Sequence, residues 1–269
     1  MRMLHKLACT LCLLALGSGC SIKKLAINKI GDSLASSGSN FESDEDPELV
    51  EAAIPFGLKL YEGLLAESPK HTGLLLAAAS GFTEYAYAFV DLKAEVAKEE
   101  SLDRSDALRE RARKLYLRAN RYAIRGLETK YPGFGKALDD DAATALKRIH
   151  KKEVPLLYWT AASLGLAVSS SKGSPEMIAQ LPLVEMIVNR IVELDETYDN
   201  GAIPEFLITL EAARSGVKLE DQQAAMRKHF DRAIEISKGK RAGTYVSLAE
   251  NASVPAQTKP RMRATFPAR

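Results

Sequence analysis

Apolar positions recur at helical spacing along most of this chain, and no stretch alternates with the period of a strand over a useful length. Residues 55–90, PFGLKLYEGLLAESPKHTGLLLAAASGFTEYAYAFV, carry the pattern most clearly. Ala53, Leu58, Tyr61 and Leu65 fall on one helical face, while Lys59, Glu62 and Glu67 take the other. Pro69 stops this helix, because it lacks an N–H and its ring clashes with the preceding turn. A second helix follows that is apolar nearly all round, with Leu75, Ala78, Ala79 and Phe82 as its packing positions. Asp46-Pro47-Glu48 predicts a helix start, with Asp as cap, Pro in the first turn and an acid near the positive end of the dipole. Another helix begins at Asp103 or Ser105 and runs to about Lys130, burying Leu108, Ala112, Leu115, Ala119, Tyr122 and Leu127. Ser174-Pro175-Glu176 repeats the cap-Pro-acid pattern before a helix over 181–194. Turns are predicted at Tyr131-Pro132-Gly133, Ser171-Lys172-Gly173, Asn200-Gly201 and Lys238-Gly239.

The expected fold class is all-α, with helical hairpins stacked as degenerate tetratricopeptide-like repeats. Tyr61, eight residues before Pro69, matches the Tyr/Phe…Pro ending of such a hairpin. Similar endings recur: Tyr122 and Ala123 before Pro132, Val188 and Ile191 before Leu194-Asp195-Glu196, Phe230 and Ala233 before Ser237-Lys238-Gly239. Their spacing departs from the standard repeat of about 34 residues, so insertions are expected, in about four units forming a short right-handed superhelix. Arrays of this kind usually bind rather than catalyse. An irregular helical bundle is the alternative. Residues 74–90 and 154–168 are apolar enough to be misread as membrane spans. Glu84 in the first, and Pro155, Ser163 and Gly165 in the second, favour burial inside a helical stack.

The N-terminus adds a compartment. Arg2 and Lys6, an apolar run over 7–16 and Gly17-Ser18-Gly19 make residues 1–19 a signal peptide. The run is short of the roughly 20 apolar residues that span a bilayer. The Gly-Cys ending resembles a bacterial lipoprotein signal, which makes Cys20 the expected lipidation site; an ordinary secretory signal is the alternative. Cys9 and Cys12 would leave with the signal, so the mature chain would have no disulfide, thiol nucleophile or thiolate metal site. Residues 20–45 read as lipid anchor and tether, Ser/Gly-rich from Ser33 to Asn40; docking of the Ile22–Ile30 piece onto the domain is the other reading. The folded domain is expected over 46–250, and residues 251–269 as a basic, Pro-rich, disordered tail.

Composition and chemistry exclude more than they suggest. With 46% hydrophobic and 27% charged residues, one domain can be held by apolar burial alone. A net charge of +2 argues against a dedicated nucleic-acid binder. His5, His71, His150 and His229 stand apart from any metal-ligand spacing. Asp139-Asp140-Asp141 reads as a solvated acidic turn. With no paired acid–base constellation, neither an enzyme nor a cofactor is expected. Arg109, Arg111, Arg113, Lys114, Arg118, Arg121 and Arg125 crowd one helix. They form either a solvated face, partly balanced by Glu110 and Glu128, or a docking surface for an acidic partner or anionic lipid.

Five ordered strings, DPELVEAAIPFGLKLYEGLLAESP, LLLAAASGFTEYAYAFV, RARKLYLRANRYAIRGLE, VPLLYWTAASLG and GAIPEFLITLEAAR, resemble TatT, the T component of tripartite ATP-independent periplasmic (TRAP) transporters. The resemblance runs from about Gly31 to about Glu250. It implies a periplasm-facing lipoprotein, self-associating as a trimer, that docks the periplasmic solute-binding protein (the P component) and offers a passage for a hydrophobic small ligand. Ser21 after the Cys favours the outer membrane. The passage wall is assigned to Phe82, Tyr85, Tyr87, Tyr158 and Trp159, with ordinary core aromatics as the alternative; the docking surface is assigned to Arg109, Arg113, Arg118, Arg121 and Arg125. Two departures stand out. Pro204 occupies a position where the family leads one to expect His, and residues 251–269 show no helical stripe where further helices are expected, so that the tail reads as unrelated or truncated chain. A general tetratricopeptide-like scaffold lipoprotein for envelope assembly, without a small ligand, is the rival function.

Overall fold

The computed structural model describes residues 25–35, 44–171, 173–214 and 216–253. The signal, Cys20 and the chain from 254 on lie outside the described residues. Among the described residues every regular element is helical. Residues 25–35 form α1. The chain continues as α2 (Pro47–Glu67), α3 (Thr72–Ala86), α4 (Leu92–Ala97), α5 (Leu102–Glu128), α6 (Phe134–Asp140), α7 (Ala142–Lys147) and α8 (Val154–Ser169). It ends with α9 (Pro175–Ile178), α10 (Leu181–Asp195), α11 (Ala202–Ala213), α12 (Leu219–Ser237) and α13 (Ala242–Leu248). A π-helical turn, Tyr87–Asp91, joins α3 to α4, and a second, Ala249–Ser253, follows α13. Helical backbone thus extends three residues beyond the Glu250 boundary expected from the sequence.

The caps explain most of the boundaries. Asp46 accepts from the N–H groups of Glu48 and Leu49 at 3.1 and 3.0 Å, as its position before Pro47 predicts. The start of α5 falls earlier than expected. Ser101 caps it by accepting from the Arg104 N–H at 3.3 Å, while the Ser105 hydroxyl, fully buried, donates to the Ala94 carbonyl and ties α5 to α4. Ser174 caps only the single turn α9; α10 starts afresh at Leu181. His71 caps α3 through Nδ1, which accepts from the Leu74 N–H at 3.1 Å.

Helix α5 lies between α3 and α8, and each long helix from α2 to α13 packs beside the next in chain order. Ala78 and Ala79 on α3 and Ala112, Ala119 and Ala123 on α5 are fully buried, and their small side chains let neighbouring backbones come close. The buried stripe of α5 is rotated from the expected one: Tyr116 and Ala123 are fully inside, whereas Leu108, Leu115 and Tyr122 are half-buried. Helix α8 has no charged residue and is buried on most sides. Its Thr160 and Ser163 hydroxyls donate to the carbonyls one turn back, Leu156 at 2.8 Å and Trp159 at 2.6 Å, so their burial leaves no unpaired donor. Among the described residues one helical run, 72–97, is long and apolar enough to cross a membrane, but it packs against α2, α5 and α8.

Residues 25–35 dock on the α2–α3 turn rather than leading away as free tether. The Ser68 hydroxyl donates to Asn28 Oδ1 at 2.7 Å, and His71 Nε2–H donates to the Asn28 carbonyl at 3.2 Å. Gly31 lies so close to α3 that an added Cβ would come within 2.9 Å of Leu74 Cδ1.

Between α10 and α11 the chain reverses through three successive left-handed residues, Asp199 (φ 47°), Asn200 (φ 51°) and Gly201 (φ 100°). A Cβ on Gly201 would stand 3.2 Å from the Ala233 carbonyl oxygen, a backbone atom that cannot move aside as a side chain can. Gly201→Ala is therefore expected to lower stability by about 1–3 kcal/mol. Chemical denaturation checks this; an unchanged midpoint would show that the turn tolerates a side chain.

Candidate functional site

The apolarity of α3 all round has two uses. Leu75, Ala78, Ala79 and Phe82 turn into the core, as expected from the sequence. Leu76, Ala77, Ser80, Gly81 and Glu84 turn the other way and line a cavity of about 770 Å³, within the usual range for small-molecule sites. The opposite wall is the inner face of α2, with Val50, Ile54, Gly57, Leu58 and Tyr61. Ala35, at the end of α1, closes part of one side. Ala88 and Phe89, on the π-helical turn, extend the α3 wall; such turns often occur at functional sites.

One wall is aromatic. Tyr158 on α8 meets Trp159 edge-on at 5.1 Å between centroids and Tyr198 at 5.3 Å. Next to Tyr198 the left-handed turn delivers Asp199, and Arg241, just before α13, reaches back to it. The Arg241 guanidinium donates from Nη1 to the Asp199 carbonyl at 2.8 Å and its carboxylate at 2.9 Å, and from Nε to Glu205 at 2.8 Å. Thr244 adds a hydrogen bond to Glu205 at 2.9 Å. Burial alone would make Arg241 easier to deprotonate, but Glu205 and Asp199 outweigh it and hold the charge more firmly than usual. The phenols around the cavity stay protonated. Burial, with the charges of Asp199 and Glu84, pushes Tyr198 up to about 12, and burial with Glu84 raises Tyr61. Burial is also the main cause that raises Tyr158, against the opposing pull of Arg241. The cavity therefore combines a long apolar trough with neutral hydroxyl donors and a charged end.

Of the five aromatic residues assigned to a passage, Tyr158 and Trp159 line this cavity. Phe82 and Tyr85 are buried in the α2–α3–α5 core cluster instead, and Tyr87 is 43% exposed on the π turn. Phe82 stacks on Tyr122 at 5.9 Å. The contributions of Tyr61, Glu84, Phe89, Tyr198 and Arg241 were missed. Glu84 alone gave a usable signal, as a lone acid on an otherwise apolar helix; Arg241 and Asp199 come from turns far along the chain.

The arginines of α5 are largely engaged within the fold. Arg109 pairs with Glu95 at 2.6 Å, and Arg113 grips Glu110 with two hydrogen bonds of 2.7 and 2.8 Å. Arg118 pairs with Glu62 and lies over the Phe82 ring at 4.7 Å; Arg125 lies over Tyr122 at 5.3 Å and donates to the Pro69 carbonyl. Arg111 donates to the Tyr85 hydroxyl at 3.3 Å. Arg121 is exposed and has no ion pair among the described residues. The aromatic and basic sets, read separately from the sequence, thus meet in one cation–π ladder between α3 and α5. Glu62, expected on the solvent face, is only 11% exposed. Burial tends to raise its pKa, but hydrogen bonds from Lys59, Tyr122 and Arg118 prevail and hold its carboxyl below the usual range. No group of three or more His, Cys, Asp or Glu able to hold a metal occurs among the described residues.

The family model described as TRAP transporter T-component matches residues 43–265. An uncharacterized protein of Treponema pallidum (strain Nichols) is 30% identical over 224 residues, covering 77% of this chain and 68% of that protein. The family match continues to 265, past the Glu250 at which the resemblance was placed, so the reading of the tail as unrelated chain is corrected over residues 251–265. Its prolines interrupt any helical stripe, and periodicity is blind to such a segment.

The two faces of α3 should respond differently to added bulk. Ala78→Leu overpacks the core and is expected to cost about 1–3 kcal/mol. Ser80→Leu projects into the cavity and is expected to change stability by less than about 0.5 kcal/mol. Paired denaturation curves decide; equal losses would mean that no usable space lies beside Ser80.

Proposed function

The chain belongs to the TRAP transporter T-component family, and we propose that it serves such a transporter as an accessory lipoprotein of the envelope that docks the solute-binding protein and assists transfer of its ligand. The family is a transporter component, not an enzyme family. The observation that carries the ligand role is the cavity of about 770 Å³ between α2, α3 and α8, with its aromatic wall and few charges.

In this reading Cys20 carries the lipid and faces the chain toward the periplasm, with the outer membrane favoured by Ser21. Three acyl chains would hold it firmly where one would not. The helices act as tetratricopeptide-like hairpins, a reading supported by the side-by-side packing of successive helices. Self-association is supported by the outer face of α2, and the trimer is the number that the family resemblance implies. Leu49, Phe56 and Leu60 fall on one helical stripe with 58%, 74% and 38% exposure, and Ala52 lies on the same stripe. The α5 face around Arg121 is the docking surface for the solute-binding protein, a reading supported by the exposure of Arg121 while Arg109, Arg113 and Arg118 are held by Glu95, Glu110 and Glu62.

The reading is tested by co-purification with a solute-binding protein of a TRAP transporter from the same organism, together with sedimentation velocity. The expected result is retention of the partner and a trimer that Phe56→Lys converts to monomer, with the helical content unchanged. Arg121→Glu should weaken retention of the partner at least fivefold. No retention of the partner by the unaltered chain at micromolar concentration would overturn the transport role.

A further inference from the structure

Helix α1 has one face held by the domain and one turned to solvent. On the inward face Gly31 lies against Leu74, Asn28 accepts from Ser68 and His71, and Ala35 borders the cavity. The outward face carries Leu25, Ala26, Lys29 and Ile30, all exposed, with Leu25 at 61% and Ile30 at 52%. At about 100° per residue these four fall within an arc of about 140°, so they form one surface. Asp32, the single acid of residues 25–35, stands at the edge of that surface, with Oδ1 at 3.3 Å from His71 Nε2. Lys29 has no ion pair among the described residues.

Two large apolar side chains and a lysine on the outside of a helix that the domain pins from within suit an interface between water and lipid. Reach and charge name what covers them. Cys20 stands five residues before Leu25, and five residues extend at most about 18 Å. With lipid on Cys20, α1 therefore begins within that distance of the headgroups. Residues 21–35 hold three lysines, Lys23, Lys24 and Lys29, against one acid. Lys70, exposed on the α2–α3 turn, lines a cleft with Asn28 and adds a further cation beside α1. Headgroups of negative charge complement this set.

We propose that the outward face of α1 lies on the surface of an anionic bilayer and so orients the whole domain. The cavity edge at Ala35 then stands about one helix diameter, ~10 Å, from the headgroups. The proposal rests on the reading that Cys20 is acylated, and it adds a second, non-covalent contact to that anchor.

The test uses the mature acylated chain in vesicles of phosphatidylethanolamine and phosphatidylglycerol. With Cys20 acylated and Cys9 and Cys12 removed with the signal, Ile30→Cys supplies the single thiol for a polarity-sensitive fluorophore. Glu99→Cys is the comparison, on the exposed turn at the other end of the helical run 72–97. Spin-labelled phospholipid is expected to quench the label at 30 at least threefold more than the label at 99. Leu25→Glu with Lys29→Glu should abolish that difference while the chain stays on the vesicles with unchanged circular dichroism. Phosphatidylcholine in place of phosphatidylglycerol should reduce the quenching at least twofold; equal quenching would overturn the role of the lysines. Equal quenching at 30 and 99 in an acylated chain would overturn the α1 assignment and leave the anchor. A blue-shifted label at 30 that lipid does not quench would assign the face to another copy of the chain and overturn the membrane contact. Mass spectrometry showing no acyl group on Cys20 would overturn the anchor reading, and this proposal with it.

Discussion

A helix that is apolar around its whole circumference has to be covered on every side or exposed at a cost. Helix α3 is in that position. One side is covered by α5, through buried alanines that let the two backbones approach, and by Phe82, which fits beneath Tyr122. The other side is only partly covered. Helix α2 crosses it and makes close contact at Gly81, where an added Cβ would come within 2.9 Å of Leu58 Cδ2. Beyond that contact the walls separate, and α8, the Tyr198–Asp199 turn and Arg241 surround the space that remains. The core and the cavity are thus two sides of one element, and what stabilises the first shapes the second.

Charge is used sparingly in this arrangement. The basic residues of α5 are mostly held by acids of neighbouring turns or laid on aromatic rings, and Glu62 is pulled inward by Arg118 and Tyr122 to join α2 to α5. These are partly buried contacts, so they fix the register between helices more than they add bulk stability. At the far end of the cavity the same logic recurs. Arg241 bridges Asp199 and Glu205 and joins the start of α13 to the turn before α11. A helix of the C-terminal part is thereby tied to the wall of a cavity built mainly by the N-terminal helices.

The left-handed run Asp199–Asn200–Gly201 makes this possible. Ordinary residues resist positive φ, and three in succession persist only where the surroundings hold them. Here the Asp199 carbonyl and carboxylate are both gripped by Arg241, while Gly201 lets the turn lie against the backbone of Ala233 in α12. The backbone strain and the ion pair occur at the same place, and that place borders the candidate site.

Much of the fold was legible beforehand. Helical spacing without strand alternation gave the all-helical class, Asp46-Pro47 gave a start, and Pro69, Gly133, Gly201 and Gly239 marked turns, because local backbone preferences act over a few residues. The ordered strings gave the family. Which face of an all-apolar helix meets a neighbour is a different matter. Period alone could not separate Ala78 from Ala77 on α3, or Tyr116 from Leu115 on α5, since every face looks equally fit for burial until the neighbouring helices are placed. The same holds for charge. The basic residues from Arg109 to Arg125 look like a free surface until Glu62, Glu95 and Glu110 are found beside them. The sequence by itself determined the elements, their ends and the kind of protein this is. Only the tertiary structure decided that residues 61, 84, 159, 198 and 241 share one space, because packing between elements depends on contacts that no local spacing encodes.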